Sequence, residues 1–401
     1  MSEEGTERPV RLGVVGAGGF AAFVSRVVGS LPDLQLVSVL DQNPERSARF
    51  AEENGTGVAS TLEDLLAVVD AVLITTPPSS HAPQVLAAFA AGRHVFCEKP
   101  LALTPADAGA ILAAQPPGTA LVVDHVIRYN PLVRLLSRLR SGGVLGDVQR
   151  FSFENDAGDS ALGPDHWFWD PAVSGGILLE HGVHFFDAAS MLVGDPGTVV
   201  NALAAERPDG RVDTVVATVR HRNGALATHS HGFSHPNHAE RQLMRVDFGL
   251  AEARLEGWIP LSLDLRAWTD DAGLAALTAV ADDPASALDL PGYRPHPRQR
   301  AALSVRDAPA WAISRDRTHR APHEVALRVE LGGAEDKPEV YAESVRAALT
   351  DFLTSIRSGA VPAAGAREGA DAVVVAAAAT RALGSGRAEP VSAAEARPLP
   401  G

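Results

Sequence analysis

Three short stretches of this sequence carry side chains suited to chemistry. The first is Cys97-Glu98-Lys99-Pro100. Proline holds the residue before it extended, so Lys99 is expected at a strand tip with its ammonium beside a cleft, although a lysine in a surface turn would be equally ordinary. The second runs from Ser174-Gly175-Gly176 through Glu180, His184 and Asp187. On one helix these three residues would fall within about 60° of one another. An imidazole flanked by acids suits general acid–base work near neutral pH, with a carboxylate fixing its orientation. A polar face turned to solvent is the plain alternative, and the aromatic and glycine neighbours argue for burial instead. The third is Gly16-Ala17-Gly18-Gly19-Phe20-Ala21, which follows an apolar run and opens a helical pattern. There Gly16 permits a tight turn, Gly18 lets the backbone approach a pyrophosphate, and Ala21 is small enough for helix to pack on strand. With Asp41 closing the next strand, where a carboxylate can take ribose hydroxyls and repel a 2′-phosphate, this pattern predicts a dinucleotide site that favours NAD. Arg46 keeps NADP open.

These groups need elements to hold them. Apolar runs at 10–15, 34–40, 71–75, 94–97 and 120–123 alternate with helical patterns at 20–31, 44–53, 61–69, 81–91 and 105–114. Runs without strict alternation belong to strands covered on both faces, so residues 1–127 read as an α/β Rossmann domain, a doubly wound parallel sheet. The Thr76-Pro77-Pro78 loop, leading to His81, falls at the end of one such strand, where doubly wound sheets bind ligands. Residues 128–401 read as an α+β domain with a largely antiparallel open sheet. Its helices are expected at 131–140, 177–193, 340–358 and 368–383. Period-two runs lie at 148–153, 198–205, 214–221, 225–231 and 243–248, and Asn223-Gly224 marks a hairpin. The weakly patterned, proline-rich stretch 262–337 reads as an insertion or mobile segment. The first eight and last dozen residues read as tails.

Composition narrows the classes. The 401 residues carry 35 basic and 49 acidic side chains, a net charge of −14, which argues against nucleic-acid binding. One cysteine, Cys97, allows no internal disulfide and no cysteine-rich metal site. No apolar leader or 18-residue apolar span is visible, so a cytoplasmic protein is expected. Of the basic residues only Lys99 and Lys337 are lysines; all the others are arginines. Arginine keeps its proton, whereas lysine can be tuned by its surroundings, so the two survivors draw notice. The histidines at 229, 231, 235 and 238 have no cysteine and no nearby acid before Glu240. They read as pocket-lining or sheet-face residues, and no metal is assigned.

Taken together, the glycine motif, Asp41, the Thr-Pro-Pro…His loop, Glu98-Lys99-Pro100 and the Gly-Gly…Glu180…His184…Asp187 stretch resemble the glucose-fructose oxidoreductase/inositol dehydrogenase (Gfo/Idh/MocA) family. Arg128-Tyr129-Asn130-Pro131 and Trp169-Asp170-Pro171 are further echoes. The resemblance covers roughly residues 10–258 and implies an NAD(P)-dependent dehydrogenase or reductase of sugars, polyols and related carbonyl compounds. Lys99 and His184 would be the catalytic pair, with Glu180 where the family usually has Asp. Expected cofactor contacts are Gly16, Gly18, Gly19, Phe20, Ala21 and Asp41, then Thr76, Pro77, His81, Glu98, Lys99 and Arg128. Expected substrate contacts are Lys99, Tyr129, Trp167, Trp169, Glu180 and His184. The alternatives are glycoside cleavage with transient redox and a cofactor-binding regulator without catalysis. An open sheet needing cover points to a homodimer or homotetramer.

Overall fold

The computed structural model describes residues 8–315 and 317–392. Its first half is a six-stranded parallel sheet built from β1 (Val10–Val15), β2 (Leu34–Leu40), β3 (Gly57–Val58), β4 (Ala71–Ile74), β5 (His94–Cys97) and β6 (Leu121–Val123), in the order β3-β2-β1-β4-β5-β6. Strands β4 and β6 are buried throughout because helices cover both faces. Those helices are α1 (Gly19–Val28), α2 (Pro44–Asn54), α3 (Leu62–Val68), α4 (His81–Ala90) and α5 (Pro105–Ala114). Their starts are written in the sequence. The side chain of Asn43 accepts from the Glu45 and Arg46 amides, Thr61 from Asp64, and Thr104 from Asp107. The order reverses between β1 and β4, so a crevice opens at their carboxyl ends.

The second half begins with α6 (Pro131–Ser141) and β7 (Val148–Asp156), followed by three short helical segments: α7 (Pro171–Ser174), α8 (Ile177–Glu180) and α9 (Gly182–Val193). Strands β8 (Pro196–Glu206), β9 (Val212–His221), β10 (Leu226–Gly232), β11 (Arg241–Phe248), β12 (Ala251–Glu256) and β13 (Ser262–Thr269) come next. Helices α10 (Asp271–Asp282) and α11 (Pro284–Ala287) precede β14 (Arg300–Asp307), a small hairpin of β15 (Trp311–Ser314) and β16 (Arg317–Arg320), and β17 (His323–Glu330). The chain ends with α12 (Lys337–Ser358), α13 (Ala366–Ser385) and β18 (Glu389–Pro390). Ten of these strands form one sheet, β14-β17-β13-β12-β11-β7-β10-β9-β8-β18. Only the β7–β10 pair is parallel among its described pairings. Burial alternates along β9 and β12, as in a sheet with one covered face.

Two expectations need correction. The stretch 262–337 is not a loose segment: β13 lies inside the sheet between β12 and β17, with Leu263, Leu265 and Ala267 buried. Their alternation with Asp264 and Arg266 is that of a half-covered strand. The structureless reading came from the proline-rich link that follows α11. The single helix expected over 177–193 is broken at His181 into α8 and α9, and Gly175 and Gly176, both at φ 80°, turn the chain just before α8. Of the stretches read as tails, residues 1–7 and 393–401 lie outside the described residues. Arg8 pairs with Asp70, and Glu389–Pro390 forms the edge strand β18.

Helices α12 and α13 return to the first sheet. Phe352 of α12 meets Phe96 of β5 edge to face, and Arg346 donates to the Ser30 carbonyl at 2.8 Å. The Val123 amide donates to Ala364, and a side chain at Gly369 of α13 would strike Val123. The same α13 packs on α9 and β8 of the second half. Among the described residues no helix is long and apolar enough to cross a membrane.

Candidate functional site

The turn after β1 is shaped by its glycines. Gly16 sits at φ 96°, and a Cβ there would come within 2.9 Å of the Thr75 carbonyl and the Thr76 nitrogen, so only glycine fits. Gly18 and Gly19 differ, since a Cβ on either would meet no protein atom within 4 Å. The space above the start of α1 is therefore open, as a ligand phosphate approaching helix amides requires. The Asp41 carboxylate accepts from the Ala17 amide at 2.7 Å and the Asn43 amide at 2.8 Å, and pairs with Arg46 at 3.3 Å. It is thus fixed at the end of β2 with acceptor capacity left over. These residues, with Phe20, Thr76 and Pro77, line a cleft of about 1140 Å³.

That cleft runs into a second cavity of about 440 Å³, the two sharing Phe20, Thr75, Thr76, His166 and Trp167. Glu98, Lys99, Glu180, His181 and His184 all line the inner cavity. Lys99 projects from the end of β5 and donates to Glu180 Oε1 at 2.6 Å and to the Glu180 carbonyl at 2.8 Å. Burial opposes its charge, but Glu180 and Glu98 outweigh burial and raise its pKa, so the ammonium stays protonated. His184 shows the reverse. Burial first, then the charge of Lys99, holds the imidazole well below its ordinary value, and its Nδ1 has no protein partner. Glu98 and Asp124 are buried acids behind Lys99, and burial raises both.

The break at His181 turns that side chain into the cavity, where its Nδ1 lies 3.1 Å from His231 Nδ1. Burial lowers His181 to about 3. On the far wall the Trp258 ring lies 5.8 Å from that of His184 and 5.2 Å from that of Tyr341. Tyr341 stacks in turn on Phe23 of α1, so α12 joins both halves of the site.

Several expected contacts lie elsewhere. Arg128 is turned away from the cleft: its guanidinium grips Asp187 at 2.7 Å and the Ala363 carbonyl at 2.9 Å. This pairing also takes Asp187 away from His184. Tyr129 is 2% exposed, donates to the half-buried Asp351 and does not line the inner cavity. Trp169 leaves the cavity because Arg207 and Arg211 stack on its ring, while Trp167 remains at the cleft. Ala21 is fully buried at the helix–strand contact. His81 is also buried, with one ring nitrogen 2.7 Å from the Thr76 carbonyl and the other 2.7 Å from that of Pro100, so it sits between two cleft loops without lining the cleft. His229 and His231 are sheet-face core residues, and His235 and His238 are exposed.

Asp124, His181, Trp258, Lys337 and Tyr341 line the inner cavity without having been expected there. Asp124 directly follows β6, and the carboxyl ends of such strands are where ligands bind. Lys337 carried a signal in the rarity of lysine. Trp258 and Tyr341 carried none, because neither belongs to a motif.

The sequence pattern described as an oxidoreductase family with an NAD-binding Rossmann fold (GFO/IDH/MocA) matches residues 10–123, and that of the GFO/IDH/MocA C-terminal domain matches residues 133–248. The chain is 31% identical over 238 residues to 1,5-anhydro-D-fructose reductase of Ensifer adhaerens, spanning 56% of this chain and 69% of the reductase. It is 29% identical over 240 residues to 2,7-anhydro-N-acetylneuraminate hydratase of Escherichia coli strain K12, spanning 57% of this chain and 64% of the hydratase. The solved structure of levoglucosan dehydrogenase in complex with NADH and L-sorbose matches 96% of this chain and 100% of its own, with a TM-score of 0.75 at 19% identity, a likeness of fold.

Proposed function

The chain belongs to the GFO/IDH/MocA oxidoreductase family, and from that premise we propose how its residues share the work of an NAD-dependent oxidation or reduction. It is an NAD-dependent oxidoreductase acting on the hydroxyl or carbonyl groups of sugars and related small molecules. The observation that carries the assignment of residues is that Lys99 and His184, from opposite halves of the molecule, line one cavity continuous with the glycine-loop cleft.

The open space above Gly18 and Gly19, the amides of α1 and the Asp41 carboxylate fit a dinucleotide, with Thr76 and Pro77 beside its path. When bound, the nicotinamide supplies a carbon that takes or gives hydride. A secondary alcohol releases hydride only as its proton begins to leave. His184, kept neutral, takes that proton; Lys99, kept charged, stabilises the developing alkoxide. On this reading the neutral imidazole is the base and the charged ammonium its electrostatic partner, a division that the opposite directions of their shifts support. Glu180 holds the Lys99 ammonium in place, and Trp258 forms the cavity wall beside His184.

A second reading, in which the substrate would be oxidised and then reduced back within one turnover so that the bound nicotinamide ends unchanged, draws support from the likeness to a hydratase, since adding water changes no oxidation state. The finer parts of the proposal are a cytoplasmic setting, where the nicotinamide pool lies, and a homodimer or homotetramer. The test is a screen of sugars, polyols and sugar acids with NAD and with NADP, following absorbance of the reduced nicotinamide and analysing products. Steady reduction of NAD supports net oxidation; a changed substrate without reduced NAD supports the second reading. No binding of NADH and no altered substrate would end both.

A further inference from the structure

The cavity that holds Lys99 holds the chain's other lysine as well. Lys337, the first residue of α12, lines the same space, partly buried, with its ammonium 5.9 Å from the centre of the Trp258 ring. His184 lies against that same indole. Among the described residues no arginine lines this cavity, although arginines make most of the ion pairs elsewhere.

The two ammonium groups differ in their surroundings. Lys99 is balanced by Glu180 at 2.6 Å. For Lys337 no carboxylate among the described residues lies within ion-pair distance. Its neighbour Asp336 is engaged by Arg298 and by the Gly333 amide. Glu240, at the rim, attracts it from further away but is itself held by the Gly158 amide at 2.9 Å. Burial lowers the Lys337 pKa, the mark of a charge short of compensation. A partly buried cation without a close counter-ion, facing a ligand cavity, offers a place for an anion of the ligand.

We propose that Lys337 anchors a carboxylate of the substrate, so that the pocket takes a polyhydroxy acid, an aldonate or uronate, in preference to a neutral sugar. The inference rests on the oxidoreductase reading above and adds the substrate's charge to it. A carboxylate matches a single ammonium. A phosphate ester, with up to two charges, would be only half neutralised by one lysine standing without an arginine beside it. With the carboxylate at Lys337, the carbon chain lies along Trp258 and presents its hydroxyls towards His184 and Lys99.

The test titrates the full-length enzyme, loaded with NADH, with D-gluconate, D-glucuronate, D-sorbitol and D-glucose 6-phosphate, reading the nicotinamide fluorescence. Turnover is not needed. At least one of the two acids should bind about tenfold or more tightly than sorbitol, an advantage that shrinks at high salt. K337M should abolish that advantage while NADH still binds, and K337R should keep part of it. Equal affinity for sorbitol and both acids, an unchanged preference in K337M, or stronger binding of glucose 6-phosphate would overturn the carboxylate assignment and leave the oxidoreductase reading standing. Failure of the wild type to bind NADH would remove the reading beneath it.

Discussion

His184 and Lys99 divide their labour because the same burial acts on them against different neighbours. Lys99 has Glu180 and Glu98 to hold its charge; the charges that bear on His184 are those of the Lys99 ammonium and the neighbouring imidazoles, and each disfavours its protonation. H184A should lower kcat by about two to four orders of magnitude, as should K99M, with NADH affinity within a few-fold of wild type by fluorescence titration. Because the folded imidazole stays neutral below its ordinary value of 6.5, kcat/KM for oxidation should remain level as pH falls through 6.5. A break near 6.5 that H184A removes would contradict the shift. At this scale the sequence was informative where a motif joined residue type to a strand end, as with Gly16, Asp41 and Lys99. It misled where only position along the chain was known. Arg128 and Tyr129 are neighbours of the site in sequence, yet one clamps Asp187 and the other donates to Asp351, and nothing in their spacing told which way they point.

The break between α8 and α9 goes with Glu180, His181 and His184 all lining one cavity, and the glycine turn before α8 sets where α8 begins. At Gly175 a Cβ would approach Leu179 to 2.3 Å at a φ of 80°. G175A should therefore cost about 1–3 kcal/mol of stability and reduce kcat by displacing Glu180, seen as a lower Tm and slower turnover together. Gly18 separates the two effects. Its Cβ would meet only open space, so G18A should leave stability within about 1 kcal/mol of wild type yet weaken NADH binding. Loss of both stability and binding in G18A would mean the space above α1 is not reserved for a ligand. The element pattern of the first half was legible because continuous apolar runs and capped helices alternate without interruption. That of 262–337 was not: β13 and β17 do alternate, but each pairs with a strand distant in sequence, and the prolines between α11 and β14 hid the repeat.

Among the described residues eight imidazoles, at 81, 94, 125, 181, 184, 221, 229 and 231, are shifted downward, chiefly by burial. The unfolded chain binds their protons near 6.5, while the folded chain resists until far lower, about 3 for His181. Stability from these groups is thus present above 6.5 and drains away as pH falls below it. The buried acids Glu98 and Asp124, shifted upward, oppose this but are outnumbered. Tm measured from pH 8 to pH 5 should decline on the acid side, and a Tm that rises there would refute the account. The return of α12 and α13 to the first sheet has a different consequence. The β5–β6 end of that sheet leaves the ribosome long before the helices that brace it, so the apolar surface α12 and α13 cover must wait, unshielded, through the synthesis of roughly two hundred further residues. A newborn chain stalled in that interval would be a natural client for chaperones, and a fragment ending at β17 should precipitate where the full-length protein stays dissolved.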